Sequence, residues 1–125
     1  MTITEQKHAE MVDKLIKDPQ KIINTLTPDK MMLVHCVSKI CSEAGELMDA
    51  VGIHVYYDQP LNTTNMLEEL GDIEFYMRPV RKLLGLVQDD CKQANIDKLS
   101  LRYPNWEYSD TKAKERLDKV SGNNT

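Results

Sequence analysis

The sequence predicts an all-α protein, a helical bundle that is completed by association of identical chains. The chain has 125 residues with only five glycines and five prolines, so few positions interrupt a helix. Its seven methionines and 6% aromatic content favour helices, because strands collect β-branched and aromatic residues. Apolar residues also recur at helical spacing over long stretches, and four modest helices with wide apolar faces leave one face uncovered in a single copy.

Charge and apolar content exclude two kinds of partner. Sixteen basic and twenty acidic residues give a formal net charge of −4, whereas a protein that binds nucleic acid through phosphates is expected to be basic. The longest apolar run is broken well before the ~20 residues that a membrane span requires. We therefore expect no nucleic acid and no membrane as partners. Three cysteines without CxxC spacing and no signal-peptide pattern predict a cytoplasmic location.

The first two helices are predicted from breakers and caps. The first covers residues 4–18 and stops at Pro19, after which a weakly patterned connector follows. Thr27 and Pro28 start the second helix, because threonine caps exposed amides and proline is tolerated at the first helical position. This helix reaches about Tyr56, and its predicted apolar stripe is Leu33, Val37, Ile40, Ala44, Leu47 and Val51.

The third helix is predicted to open at Asn65, since Glu68 follows three residues later as in a capping box. Its predicted apolar stripe is Met66, Leu70, Ile73, Met77, Val80 and Leu84. Pro79 is expected to kink this helix or to end its regular part, and Gly85 is expected to close it.

A fourth helix is predicted between Gly85 and Pro104, with the apolar residues Val87, Cys91, Ala94 and Leu101. Residues 105–109 then form an extended segment. A very polar helix follows over residues 110–120, and a frayed end over residues 121–125.

Two pairs of carboxylates lie beside the predicted apolar stripes. Glu43 and Glu46 are three residues apart on the second helix, and Glu69 and Asp72 repeat this spacing on the third. Each pair therefore occupies one helical face. A glycine stands directly before the second acid of each pair and costs roughly 1 kcal/mol of helix propensity relative to alanine. We interpret these glycines as room for close approach of the two backbones or of a ligand.

Antiparallel packing of the two faces would bring the four carboxylates together, which is unfavourable unless protons or cations neutralise them. Oxygen ligands without a thiol or imidazole at matched spacing favour Mg²⁺ or Mn²⁺ over Zn²⁺. Neither His35 nor His54 stands three residues after a glutamate, which argues against a di-iron carboxylate bundle. The simpler alternative is a pair of solvated acidic faces on a non-catalytic helical interaction protein.

The fourth helix carries the complementary charge. Asn95, Lys98 and Arg102 recur at spacings of three and four on one face, and Tyr103 and Pro104 follow directly. Taken alone, this pattern is typical of an exposed basic stripe. Beside an acidic metal site, the same residues are suited to a polyphosphate, because the metal bridges phosphate oxygens and the cations neutralise the remaining charge.

Three motifs stand in a specific order along the chain. They are Ser42-Glu43-Ala44-Gly45-Glu46-Leu47, then Glu68-Glu69-Leu70-Gly71-Asp72, then Asn95-Ile96-Asp97-Lys98-Leu99 running into Arg102-Tyr103-Pro104. Together they resemble the all-α nucleoside triphosphate pyrophosphohydrolases, the MazG-like group that includes dCTP pyrophosphatases and compact phage-encoded members. The resemblance covers residues 28–104 of a single domain spanning residues 1–125, and the polar segment 105–125 lies outside it.

The resemblance implies a helical bundle of the all-α NTP pyrophosphatase type, in a homodimer or homotetramer. It implies hydrolysis of a (d)NTP between its α and β phosphates, giving a monophosphate and pyrophosphate. The implied Mg²⁺ or Mn²⁺ ligands are Glu43, Glu46, Glu69 and Asp72. Asn95, Lys98, Arg102 and Tyr103 are implied to lie near the phosphates or sugar, and Lys39 is also expected to contact the substrate.

Three details of the reaction stay open at this point. Water is expected to attack the α-phosphorus with Glu46 as the base, and Glu43 is the close alternative. The family often opens its first motif with two adjacent glutamates, whereas Ser42 stands here, which leaves one and two metal ions as alternatives. Similarity to compact phage members favours a purine substrate such as dGTP, with dCTP as the rival.

Overall fold

The computed structural model describes residues 1–120, and within that range it contains seven helices and no strand. The helices are α1 (Ile3–Leu15), α2 (Pro19–Thr25), α3 (Pro28–Tyr56), α4 (Thr63–Leu83), α5 (Gln88–Arg102), α6 (Asp110–Glu115) and α7 (Leu117–Val120). The all-α prediction is confirmed, while the frayed end predicted over residues 121–125 lies outside the described residues. Among the helices of the described range, none is long and apolar enough to cross a lipid bilayer.

Side-chain caps set the starts of the two long helices. The Thr27 hydroxyl accepts the N–H of Lys30 at 3.2 Å, and Pro28 is the first residue of α3, as predicted. The prediction for α4 is wrong by one turn. Its N-cap is Asn62, whose side-chain oxygen accepts the N–H of Asn65 at 3.0 Å. An asparagine placed three residues earlier caps the first turn instead, so the helix begins before the predicted capping box.

Two other predicted boundaries are wrong. Pro19 ends no helix but begins α2, because Asp18 caps it by accepting the N–H of Gln20 at 2.9 Å. The polar helix predicted over residues 110–120 is two short helices, since Arg116 takes a left-handed conformation with φ of 50° between them. A proline at the first helical position is as favourable as one just past a helix end, and the sequence alone does not distinguish the two.

Gly85 closes α4 as predicted, and the helix continues through Pro79 without ending there. Gly85 has a φ of +68°. The N–H of Leu86 bonds the carbonyl of Arg81 at 2.9 Å, and the N–H of Gly85 bonds the carbonyl of Lys82 at 3.1 Å. These two bonds form a Schellman motif, which satisfies the last carbonyls of the helix and fixes the turn into α5.

The main packing unit is the pair α3 and α4. The buried and half-buried residues that recur along each helix alternate at spacings of three and four, as in a heptad pattern. We call these two rows the seam: Leu33, Cys36, Ile40, Glu43, Leu47 and Ala50 in α3, with Met66, Glu69, Ile73, Tyr76, Val80 and Leu83 in α4. His35 meets Tyr76, while Glu43 meets Glu69. Between these two contacts the residue number increases in α3 and decreases in α4, so the two helices are antiparallel.

The seam is rotated away from the predicted apolar stripes. Val37 and Leu70 were expected in the core but are 47% and 50% exposed, whereas Cys36 is 2% exposed. Ala44 and Leu84 are exposed as well. The predicted stripes contain only uncharged residues and already alternate at spacings of three and four, so the seam differs from them by one residue at every second position. The actual contact face includes two glutamates and follows the 3–4 alternation of packed helices.

The remaining helices cover little of this pair. α1 and α2 contain no buried residue, and α5 packs against α6 and α7. The chain exposes 10448 Å², about half as much again as the roughly 6,800 Å² of a compact monomer of this mass. A single copy therefore leaves extensive apolar surface uncovered.

Alanine variants at glycines should have opposite effects on stability. We expect Gly85→Ala to lower the free energy of unfolding by about 1 kcal/mol, because alanine must take a left-handed φ. Gly45→Ala and Gly71→Ala should each raise it by about 0.5–1 kcal/mol, since an added Cβ at either position meets nothing within 4 Å. Urea unfolding followed by circular dichroism measures all three. Destabilisation by the last two would mean that another molecule fills that space.

Candidate metal centre

Three carboxylates converge in the middle of the seam. Glu43 from α3 and Glu69 and Asp72 from α4 each offer one oxygen, and these oxygens all lie within 4.8 Å of one another. Glu43 is 7% exposed, Glu69 is half-buried and Asp72 is exposed. The inner part of the group, at Glu43, is therefore buried, and the outer part, at Asp72, is open to solvent.

Two oxygens of this group lack partners. Oε2 of Glu43 and Oε2 of Glu69 are buried without a hydrogen bond. Buried polar atoms are nearly always satisfied, and a buried carboxylate oxygen without a partner is costly. A divalent cation would satisfy both oxygens, and an all-oxygen donor set suits Mg²⁺ or Mn²⁺. The residues present thus fit such an ion.

The pKa values of Glu69 and Glu46 are shifted in opposite directions. Hydrogen bonding to Glu43 and then to Glu46, together with burial and repulsion between like charges, raises the pKa of Glu69 to about 8. The hydrogen bonds with Glu69 and Glu43, assisted by the positive charge of Lys39, lower the pKa of Glu46. Near neutral pH Glu69 therefore carries a proton, while the exposed Glu46 is ionised.

Lys39 lies one helical turn before Glu43 and is held beside the carboxylates by an aromatic ring. Its ammonium is 5.9 Å from the centroid of the Tyr76 ring, a cation–π distance. The His35 ring meets the same tyrosine edge-on, with 6.0 Å between centroids. The expected contact of Lys39 with a substrate stays a prediction.

The glycines inside the two acidic pairs do not bring the backbones of α3 and α4 together. A Cβ added at Gly45 or Gly71 would meet nothing within 4 Å. The predicted close approach of backbones is wrong, because both glycines lie off the seam. Open space beside the acids remains for a ligand or a second copy.

One of the residues predicted on α5 has its partner outside the carboxylate cluster. Arg102 is occupied elsewhere: its Nε donates to Asp118 at 2.9 Å and its Nη2 donates to the other carboxylate oxygen at 3.2 Å. The Asp118 side chain is 2% exposed, so this pair fastens α7 onto α5. The hydrogen bonds raise the pKa of Arg102 and lower that of Asp118. Asp118 was missed because its partner lies sixteen residues away.

Asn95 and Tyr103 instead share a cleft of about 330 Å³ on α5, and Lys98 is exposed on the same helix. The other residues that line the cleft are Ile96, Leu99, Ser100, Trp106 and Tyr108. The indole N–H of Trp106 donates to the Ser100 hydroxyl at 3.1 Å. This bond fastens the segment after α5 to that helix. The extended segment predicted from residue 105 is wrong at its start, because Trp106 has a φ of 56° and its N–H bonds the carbonyl of Tyr103 at 2.8 Å in a turn.

Comparisons of this chain with protein-family models, with curated proteins and with solved structures give no match. The resemblance to MazG-like enzymes stays a prediction that rests on the three motifs.

Proposed function

We propose that this protein is a metal-dependent nucleoside triphosphate pyrophosphohydrolase of the MazG-like type, acting in the cytoplasm. The observation that carries the proposal is the convergence of Glu43, Glu69 and Asp72 with two unpartnered buried oxygens. Facing acids inside a helix pair weaken the packing unless a proton or cation neutralises them. A catalytic metal site gives a reason to retain them, whereas a purely structural pair of helices does not.

Each residue of the cluster has a distinct proposed part. Glu43, Glu69 and Asp72 hold Mg²⁺ or Mn²⁺, with Glu46 at the open side. When bound, the ion supplies charge for the phosphate oxygens and lowers the pKa of a water molecule. Glu46 would accept a proton from the attacking water, because its side chain is exposed and ionised whereas Glu43 is buried. This arrangement supports Glu46 over Glu43 as the base.

The cationic and polar side chains are proposed to bind the nucleotide. The positive charge of Lys39 acts on Glu46, and this side chain would pair with a phosphate. Asn95, Lys98 and Tyr103 would contact the phosphates or sugar. Arg102 can join them only by releasing Asp118, so we propose that it chiefly positions the C-terminal helices beside Tyr103.

A homodimer or homotetramer is part of the proposal. The exposed area of 10448 Å² exceeds that of a compact monomer by more than the surface that each partner buries in a stable protein interface. Exposed apolar side chains lie on α1, α2 and α3, for example Leu15, Ile23 and Val34. Association would cover these surfaces and complete the bundle.

The decisive experiment incubates the purified protein with Mg²⁺ and each common NTP and dNTP in turn. We expect a nucleoside monophosphate and pyrophosphate as products, with dGTP as the best substrate and dCTP as the rival. Release of inorganic phosphate and a diphosphate would contradict cleavage between the α and β phosphates. Absence of any product, with Mn²⁺ tried as well, would contradict the enzyme assignment.

The second candidate is a non-catalytic helical interaction protein with a solvated acidic face. The uncovered apolar surface of α1 and α2 favours it, because large exposed apolar areas mark interaction sites. Under this candidate, the protein associates but leaves every nucleotide intact in the same assay.

A further inference from the structure

The turn from α4 to α5 carries a group of cations that the proposed function does not use. We call it the basic elbow and define it as Arg78, Arg81, Lys82 and Lys92. The first three line a cleft of about 400 Å³ together with Leu86, Val87 and Gln88. Arg81 and Lys92 line an adjoining cleft of about 460 Å³, to which Gln88 also contributes. Arg81 thus faces both clefts in a chain whose net charge is −4.

The cations of the basic elbow have no carboxylate partner among residues 1–120. Within residues 1–120 the salt bridge found joins Arg102 to Asp118, and no carboxylate lies within 4.0 Å of the four cations. The carboxylate of Asp90 caps α5, because it accepts the N–H of Val87 at 2.8 Å. The macrodipole of α4 favours cations in its last turn, but it accounts for neither Arg78 nor Lys92.

The backbone around these cations is fixed on both sides. The Schellman bonds at Gly85 hold the end of α4, and the Asp90 cap holds the start of α5. Arginine presents its donors as a planar fork that fits two oxygens of a phosphate. A cleft with rigid walls, several unpaired cations and a side-chain amide is therefore prepared for an anion without rearrangement of the backbone.

We propose that the basic elbow binds a small phosphate-bearing anion, at a site separate from the carboxylate cluster. Arg78 lies nine residues after Glu69, about two and a half helical turns, and therefore on the opposite side of α4. The volumes of the two clefts suit a small molecule. Four cations in an acidic chain are too few for a nucleic-acid surface. The inference is independent of the proposed function.

Titration of the full-length protein with tripolyphosphate tests the proposal. The titration is done in EDTA at low salt by isothermal calorimetry, so that no divalent ion can hold phosphate at the carboxylates. We expect saturable binding that weakens as salt rises. The double variant Arg81→Gln, Lys82→Gln should weaken binding about tenfold, the loss expected for hydrogen bonds to charged groups.

The matched control is Lys7→Gln, Lys14→Gln, which removes the same charge from α1 and should leave binding unchanged. Asp72→Asn should also leave it unchanged, which separates a failure here from a failure of the proposed function. If the first double variant does not fold by circular dichroism, Arg78→Gln on the exposed face replaces it and should weaken binding severalfold. Absence of saturation, or an equal loss in the α1 control, would overturn the proposal. Cosedimentation with phosphatidic acid vesicles but no binding of tripolyphosphate would also overturn it.

Discussion

Replacing Glu46 by glutamine is expected to reduce turnover of the nucleotide by about a thousandfold while leaving the helices intact, since general-base catalysis contributes factors of this order. Glu46 is exposed, and hydrogen bonds from its neighbours keep it ionised. Glutamine preserves the shape of the side chain but cannot accept the proton. Asp72→Asn should abolish turnover as well, because it removes one of the three converging ligands.

Binding of Mn²⁺ distinguishes the proposed role of Glu46 as a base from the proposed role of Asp72 as a metal ligand. Electron paramagnetic resonance should show that Glu46→Gln still binds Mn²⁺ within a few-fold of the unaltered protein, whereas Asp72→Asn loses about 10–100-fold or more in affinity. Glu68→Gln is the matched control, since Glu68 is exposed and lies outside the converging group. This variant should retain both nucleotide turnover and Mn²⁺ binding. Near-normal hydrolysis in both Glu46→Gln and Asp72→Asn would refute the metal assignment.

Without metal, the free energy of unfolding is expected to fall as pH rises from about 4.5 to 8. The native pKa of Glu69 is about 8 against an ordinary value of 4.5. Within this window the native state holds a proton that the unfolded chain has released, so a rise in pH favours unfolding. The titration of Glu46 does not cancel this dependence of the free energy of unfolding on pH. Its pKa is lowered, so its stabilising effect is complete above the ordinary value and is lost only in more acidic solution.

Thermal unfolding in EDTA between pH 5 and 8.5 measures this effect, with Glu69→Gln as the comparison. Glutamine keeps an N–H donor without a titrating proton, so the variant should show a shallower decline and exceed the unaltered protein in Tm at pH 8. Under the proposed function, Mg²⁺ takes the place of the proton. The rise in Tm on adding Mg²⁺ should therefore grow with pH. Parallel pH profiles for the two proteins would contradict the assignment of the proton to Glu69.

The accuracy of the sequence predictions differs between features. Local signals located Thr27 and Gly85 correctly, because a cap and a left-handed turn depend on neighbouring residues alone. The acidic pairs were also identified by spacing. The rotation of α3 was not, since a charged residue at position 43 was excluded from the core by its type. The predicted stripes and the seam both alternate at spacings of three and four and differ by one residue at every second position, so the spacing alone does not choose between them.

By itself, the sequence determined the helical class, both ends of α3, the end of α4 and the two carboxylate pairs. These follow from propensity, capping and a period of 3.6 residues, which act within one segment of chain. Only the tertiary structure decided that Glu43 is buried opposite Glu69, and that Arg102 is bound by Asp118. The protonation of Glu69 and the pairing of Arg102 depend on charges from distant segments at a few ångströms, where burial strengthens every interaction.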